Sequence, residues 1–169
     1  MSCIGPSAPD LLSHGGNLNF DDLNDEIRHS EGFQAYSDSK LANILFTKEL
    51  ARRLQDANIE NVNVYSLHPG MIATDIARHL GQEAIIKFLQ RILYFLTFFI
   101  FKTPEQGAQT TIHCAVDENA GKETGLYYSE CQVREPASNA NSIEDAEKLW
   151  ELSIKFVGLE KNYDIFSRK

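Results

Sequence analysis

Apolar residues recur every three to four positions over one long stretch of the chain, residues 35–56. The apolar positions are Leu41, Ile44, Leu45, Leu50 and Leu54, and Lys48, Glu49, Arg52 and Arg53 are assigned to the opposite, solvated face. A repeat near 3.6 residues is typical of an amphipathic helix. The pattern therefore predicts a helix over 35–56.

Two short segments have strand character. Residues 61–67 alternate apolar and polar positions, include β-branched residues, and end at His68-Pro69-Gly70. Residues 126–129 follow Gly125 and read as a second strand, before a polar loop. Both segments have strand length and stop at turn-forming residues, so the sequence predicts two strands.

Two further helices have clear boundaries. Thr103 stands where an N-cap is expected, Pro104 at the first helical position, and Gln106 where a capping-box side chain reaches back. That helix is predicted to run to about residue 116. A last helix is predicted over 143–157, with Gly158 as its terminator.

Two regions carry a less regular pattern. Residues 1–31 are rich in Gly, Pro, Ser, Asn and Asp and are predicted to form a loop. Residues 83–101 are strongly apolar and predict one or two short helices, which pack in the core, form a lid over a substrate, or lie on a membrane surface. Their apolar run is about half the ~20 residues that a transmembrane helix needs.

The order of helices and strands favours an α/β chain with parallel strands joined by crossovers. The 169 residues, 43% of them hydrophobic, suffice for a single domain over 1–169. Two strands, however, cannot form a self-sufficient parallel sheet. The sequence therefore predicts part of an α/β domain.

Charge and cysteine content exclude some functions. The net charge is −8 and no run of Lys or Arg forms a basic stripe, so we expect no nucleic-acid binding. Cys3, Cys114 and Cys131 are far apart and form no C-x-x-C pair, which predicts no metal site and three idle thiols in a reducing, intracellular compartment. The first residues lack the pattern of a secretory signal.

Tyr36 and Lys40 are the candidate catalytic residues. Four positions apart on a helix, they are neighbours on one face. A cation close to a phenol favours its ionised form, so the pair can act as an acid/base near neutral pH. The same spacing also occurs as a plain contact on solvated helix faces.

Several motifs in order resemble the short-chain dehydrogenase/reductases, and among them the retinol dehydrogenase branch. They are Tyr36-Ser37-Asp38-Ser39-Lys40-Leu41-Ala42-Asn43, then Val64-Tyr65-Ser66-Leu67-His68-Pro69-Gly70, then Lys102-Thr103-Pro104-Glu105-Gln106-Gly107-Ala108-Gln109-Thr110. The resemblance covers residues 17–159. It implies the C-terminal part of a Rossmann-like, doubly wound parallel sheet.

The resemblance also implies a function, an NAD(P)-dependent oxidoreductase that interconverts a lipophilic alcohol and its carbonyl, retinol and retinal being the example. Tyr36 is then the proton donor or acceptor and Lys40 its electrostatic partner, which also bonds the ribose of the cofactor. Pro69, Gly70, Ile72 and Thr74 hold the nicotinamide end, and NADP is slightly favoured over NAD. Pro69 and Gly70 also fit an ordinary turn, and Thr74 an N-cap.

The sequence departs from the family pattern in its first half. No glycine-rich turn for a pyrophosphate and no N-terminal strands are found. The orienting serine of the family has only weak counterparts in Ser7 and Ser13, which stand in loop-like sequence. The alternative is therefore a truncated chain without catalysis that acts at most as an interaction module.

Partners and location rest on the resemblance alone. It implies a lipophilic small-molecule substrate, a homodimer, and an endoplasmic reticulum membrane surface or a mitochondrion as location. Residues 83–101 are the segment through which a membrane surface would be contacted.

Overall fold

The computed structural model describes residues 16–24, 26, 27, 32–70, 72 and 102–159. Three α-helices and three short strands lie in this part of the chain. Their bounds are α1 Gly32–Asp56, β1 Ser66–His68, α2 Pro104–Val116, β2 Tyr127–Ser129, β3 Gln132–Val133 and α3 Ile143–Phe156. Short 3₁₀ turns lie at Ala120–Lys122 and Ser138–Asn141.

The strands form one sheet in the order β1-β2-β3. β1 and β2 are parallel, with Ser66 opposite Tyr127 and His68 opposite Ser129, and α2 lies on the connection between them. A parallel pair joined through a helix is the unit expected of an α/β chain. The predicted α/β class with parallel strands is confirmed.

The sequence did not predict β3, which pairs antiparallel with β2. The turn between them is made by Glu130 and Cys131, both with φ near +55°. Two residues with positive φ make the tight hairpin turn that matches strand twist. The usual sequence signal of such a turn is Asn-Gly or Asp-Gly, and Glu130-Cys131 does not have it.

β1 is shorter than the predicted strand over 61–67, because the preceding residues bond loop groups instead. The Asn63 side-chain amide donates to the Gly121 carbonyl (2.7 Å), and the Val64 N–H donates to Thr124 Oγ1 (3.1 Å). These bonds join the entry of β1 to the segment that precedes β2. The regular ladder then begins at Ser66.

Helix α1 buries the predicted stripe at Leu41, Ile44, Leu45 and Leu54. Glu49, assigned by sequence to the solvated face, is instead 1% exposed. Its carboxylate accepts bonds from Arg52 (2.8 and 2.9 Å) and from Arg53 (2.6 Å). A buried charge needs such pairing, and two arginines within one turn provide it.

Helix α2 begins at the predicted cap, and α3 begins at the predicted residue, 143, after a cap that the sequence analysis did not name. Thr103 accepts from the Gln106 N–H and donates its own N–H to the Gln106 side chain, so the capping box is present. Ser142 caps α3 by accepting from the Asp145 N–H (3.2 Å). Gly158 follows α3 with φ +71°.

The core lies between α1, α3 and the sheet. It contains Leu41, Ile44, Leu45, Tyr127, Ala140, Ala146 and Leu149. Leu18, Phe20 and Leu23 pack against it from the segment before α1. Part of the predicted N-terminal loop thus covers the helix that carries Tyr36.

Cysteine chemistry differs from the expectation of three idle thiols. Cys114 is free, but Cys131 is disulfide-bonded.

None of the described helices combines the length and the apolar character that a membrane span requires.

Candidate active site

The first turns of α1 bring Tyr36 and Lys40 together. Tyr36 is 46% exposed, and the Lys40 ammonium lies 4.9 Å from the centroid of its ring. This is the geometry of a cation over an aromatic face. Among the described residues no side chain or backbone group bonds the Tyr36 hydroxyl, so the phenol is accessible to a ligand.

Neighbouring residues of α1 fix the orientation of this pair. Asp38 is buried and accepts from the Asn17 N–H (2.7 Å) and from the Gln34 amide (2.7 Å). A Cβ added to Gly16 would lie 2.8 Å from the Ser37 carbonyl oxygen, so the chain before α1 packs directly on the helix. With Ser37 and Asp38 held against that segment, Tyr36 is left toward solvent.

The other tyrosines of the described part have structural roles. Tyr65 donates to the Ala120 carbonyl (2.6 Å), and burial raises the pKa of its hydroxyl. Tyr128 donates to Glu123, and burial together with that carboxylate raises its pKa strongly. Tyr127 is part of the core. Tyr36 is thus the exposed tyrosine of these ranges.

The strand-end loop after β1 is the second part of the site. Pro69 and Gly70 follow β1 directly, and Gly70 has φ +87°, a conformation that favours glycine. A Cβ on Gly70 would lie 2.8 Å from Cδ of Lys102. The loop backbone is therefore in close contact with Lys102.

Ile72 continues this loop and is held by the elements behind it. It forms a parallel bridge with Lys102, and a Cβ on Gly107 of α2 would lie 2.7 Å from Ile72 Cγ1. The missing side chain at Gly107 lets the second turn of α2 approach the loop. Thr74, Ser7, Ser13 and 83–101 lie outside the described residues, so the predictions for them stay predictions.

Sequence reasoning missed one feature beside this loop, the ion pair of Lys102 and Glu130. Lys102 is 3% exposed, and its ammonium donates to the Glu130 carboxylate at 2.6 Å. The two residues are 28 positions apart, so no short-range pattern in the sequence predicts the pair. The available signal in the sequence was the position of Lys102, a charged residue between the apolar residues 83–101 and the helix cap Thr103.

A cavity of about 300 Å³ lies elsewhere, at the C-terminal end of α1. Leu54, Ile59 and Val62 contribute apolar lining, and Lys122 and Thr124 polar lining. None of the predicted site residues lines it. No cluster of three His, Cys, Asp or Glu suited to a metal was found in the part that the structure describes.

The comparison with known families agrees with this geometry. Residues 26–84, which contain α1, β1 and the strand-end loop, match the profile of the short chain dehydrogenases. The resemblance that the motifs predicted is confirmed: over these residues the chain is similar to the short chain dehydrogenases.

Its relatives include retinol dehydrogenases. The chain is 43% identical to human retinol dehydrogenase 14 over 146 residues, which are 86% of this chain and 41% of that protein. It is 40% identical to human retinol dehydrogenase 11 over 149 residues, covering 88% of this chain and 43% of the relative. The "Short-chain dehydrogenase TIC 32 A, chloroplastic" of Brassica napus is 39% identical over 138 residues, which are 82% of this chain and 41% of that protein.

A solved structure supports the same fold. An uncharacterised protein from Mycobacterium paratuberculosis superposes with a TM-score of 0.65 at 25% identity, covering 90% of this chain and 49% of that one. The chain thus spans about two fifths of the first relatives' length and about half of this structural neighbour's.

Proposed function

We propose that the chain carries the proton-transfer residues and the nicotinamide-end loop of an NAD(P)-dependent oxidoreductase that interconverts a lipophilic alcohol and its carbonyl. The observation that carries the proposal is the accessible Tyr36 hydroxyl with the Lys40 ammonium over its ring. The pair stands in a region that matches the short chain dehydrogenases.

Tyr36 is the proton donor to the substrate oxygen in the direction of carbonyl reduction, and the acceptor in the reverse direction. General acid/base catalysis needs a group within hydrogen-bond reach of the reacting oxygen, and an exposed phenol can meet that need. Lys40 lies beside it, with its ammonium 4.9 Å from the centroid of the phenol ring. Its three N–H donors also suit the hydroxyls of a ribose.

The residues present fit the nicotinamide end of a dinucleotide. Gly70 carries no side chain of its own and packs against Lys102, and Pro69 and Ile72 flank it at the carboxyl end of β1. Ligands of open α/β sheets bind at this end of the strands. A bound nicotinamide cofactor supplies the hydride.

The proposed substrate class is taken from the retinol dehydrogenases among the relatives, whose names specify retinol, an apolar alcohol. The apolar residues 83–101 are our candidate for its cover. NADP is preferred to NAD in this proposal, and parallel assays with both cofactors test the preference.

The test is the rate of NADPH oxidation by the full chain with retinal. Tyr36→Phe removes only the hydroxyl and should lower kcat by about 100-fold or more, the effect expected of a lost general acid. Tyr65→Phe is the matched control, since it removes a hydroxyl bonded to the Ala120 carbonyl, and it should retain activity. Full activity of Tyr36→Phe contradicts the proposal.

A second candidate is an interaction module without catalysis. Within the described sheet, β1 pairs with a strand on one side only, and an unpaired strand edge can accept a strand from another chain. Equilibrium dialysis against NADPH separates the two candidates. Micromolar binding by the chain alone contradicts the module, whereas no binding together with concentration-dependent association supports it.

A further inference from the structure

Lys102 connects three parts of the molecule beside the strand-end loop. Its backbone forms a parallel bridge with Ile72, and its Cδ and Cε lie 2.8 and 2.9 Å from the position that a Cβ of Gly70 would take. Its ammonium reaches the Glu130 carboxylate at 2.6 Å. The end of the Lys102 side chain thus lies against Gly70 while its ammonium is bonded to Glu130.

Glu130 is a fixed partner because its turn is tied to the sheet and to α2. The hairpin closes through the bond from the Arg134 N–H to the Tyr127 carbonyl (2.9 Å). The next residue, Cys131, donates its N–H to Thr110 Oγ1 (3.3 Å), and Thr110 is buried in α2. The carboxylate is thus held between the hairpin and α2.

The burial of the two partners is unequal. Lys102 is 3% exposed, whereas the Glu130 side chain is 17% exposed. A buried ammonium without a partner must find water or another acceptor, but a carboxylate at a turn can turn outward. Loss of Glu130 should therefore displace Lys102, and loss of the Lys102 charge should disturb Glu130 little.

From this arrangement we propose that the Lys102–Glu130 ion pair is a positioning device that fixes the backbone of the Pro69–Gly70 loop. The idea rests on the proposed function for the role of that loop in holding the nicotinamide end. In this proposal neither side chain has a catalytic role. Glu130 acts through the Lys102 stem, which keeps Gly70 and Ile72 in one backbone arrangement.

Hydrogen exchange of backbone amides in the full chain tests the positioning without any cofactor. Glu130→Gln should speed exchange in residues 66–72 and 102–107 by about tenfold, while residues 143–156 of α3 keep the wild-type rate. Glu135→Gln is the matched control, because that carboxylate bonds Asn141 on the exposed surface and should leave all three segments unchanged.

Two rescue variants make the result specific. Lys102→Met keeps an unbranched apolar stem over Gly70, so Lys102→Met/Glu130→Gln should return exchange to within about twofold of wild type. Glu130→Asp keeps the charge and should lie between wild type and Glu130→Gln. Unchanged exchange in Glu130→Gln, no rescue by the double variant, or equal acceleration in 143–156 overturns the proposal.

Dinucleotide affinity is measured on the same variants. If the proposed function holds, NADPH affinity should fall about tenfold in Glu130→Gln and recover in the double variant. A wild-type chain that binds no NADPH counts against the proposed function, and the exchange rates then decide the ion pair by themselves.

Discussion

The two halves of helix α1 carry side-chain pairs of the same spacing in opposite surroundings. Near its start, Tyr36 and Lys40 are four residues apart and exposed, with the ammonium over the ring. Near its end, Glu49 and Arg53 are also four residues apart, but the carboxylate is buried and accepts from two arginines. Spacing alone does not distinguish the two pairs.

The C-terminal half is a packing element. Trp150 of α3 stacks on Phe46 with ring centroids 5.1 Å apart, and the Arg53 guanidinium lies 4.7 Å from the Trp150 ring. Arg53 therefore contacts both Glu49 and Trp150 and links α1 to α3. The carboxylate of Glu49 and the guanidinium groups of Arg52 and Arg53 pair with one another, which is typical of a structural cluster.

The N-terminal half leaves its candidate site residues accessible. Tyr36 and Lys40 are exposed, and the residues beside them, Ser37 and Asp38, are buried and pack against the segment before α1. A helix that is firmly packed at one end can present a chemical pair at the other without loss of stability. The comparison predicts that stability and ligand binding separate along α1.

The largest stability effect is expected at Glu49. Glu49→Gln removes the buried negative charge and leaves two guanidinium groups without it, and breaking a buried pair costs about 3–5 kcal/mol. Since both arginines are a third or more exposed, we expect about 3 kcal/mol, at the low end of that range. Urea denaturation followed by circular dichroism measures it.

The matched control removes a carboxylate from the same cluster at its surface. Asp56→Asn breaks the 3.0 Å bond to Arg52, where Asp56 is exposed, and should cost within about 0.5 kcal/mol. Equal losses in the two variants would mean that burial of Glu49 has no energetic consequence.

Low pH should remove the contribution of Glu49 to the stability of the fold. Burial raises the pKa of its carboxyl, but the bonds from Arg52 and Arg53 outweigh burial and hold the pKa below its ordinary value of 4.5. A depressed pKa in the folded state stabilises above the unfolded pKa, and the contribution is lost as pH falls through the folded value.

The stability difference between wild type and Glu49→Gln should therefore be constant near neutral pH and shrink below about pH 4.5. Denaturation at several pH values between 7 and 3 measures it. A difference that grew toward acid would reverse the sign of the linkage and contradict the assignment.

Local signals in the sequence predicted those parts of the fold that local chemistry decides. The capping box of Thr103 and Gln106 and the end of α3 near Gly158 depend on neighbours within a few residues. The β2–β3 hairpin escaped because its turn residues are Glu130 and Cys131, types that rarely adopt positive φ. The burial of Glu49 was not predicted from the sequence, because it depends on how α3 packs on α1.

The candidate site shows the same division. The pair of Tyr36 and Lys40 follows from helix geometry, so its proximity was predictable. The ion pair of Lys102 and Glu130 joins residues 28 positions apart through a sheet and a turn. Contacts of that kind depend on strand register and loop closure, which short-range patterns do not encode.

A small stability effect is expected at Lys40, the residue for which stability and ligand binding should separate most clearly. Lys40→Met removes an exposed cation over an exposed ring, which contributes about 0.5–1 kcal/mol at most, so the free energy of unfolding should change by about 0.5 kcal/mol. Dinucleotide affinity should fall about tenfold, because the charged donors proposed to bond the ribose are lost.

Lys155→Met on α3 is the control, since it removes the same charge from an exposed position far along the chain. Calorimetric titration with NADPH, run beside urea denaturation, separates the two quantities. An unchanged affinity, or a stability loss as large as that of Glu49→Gln, would place Lys40 with the structural half of the helix.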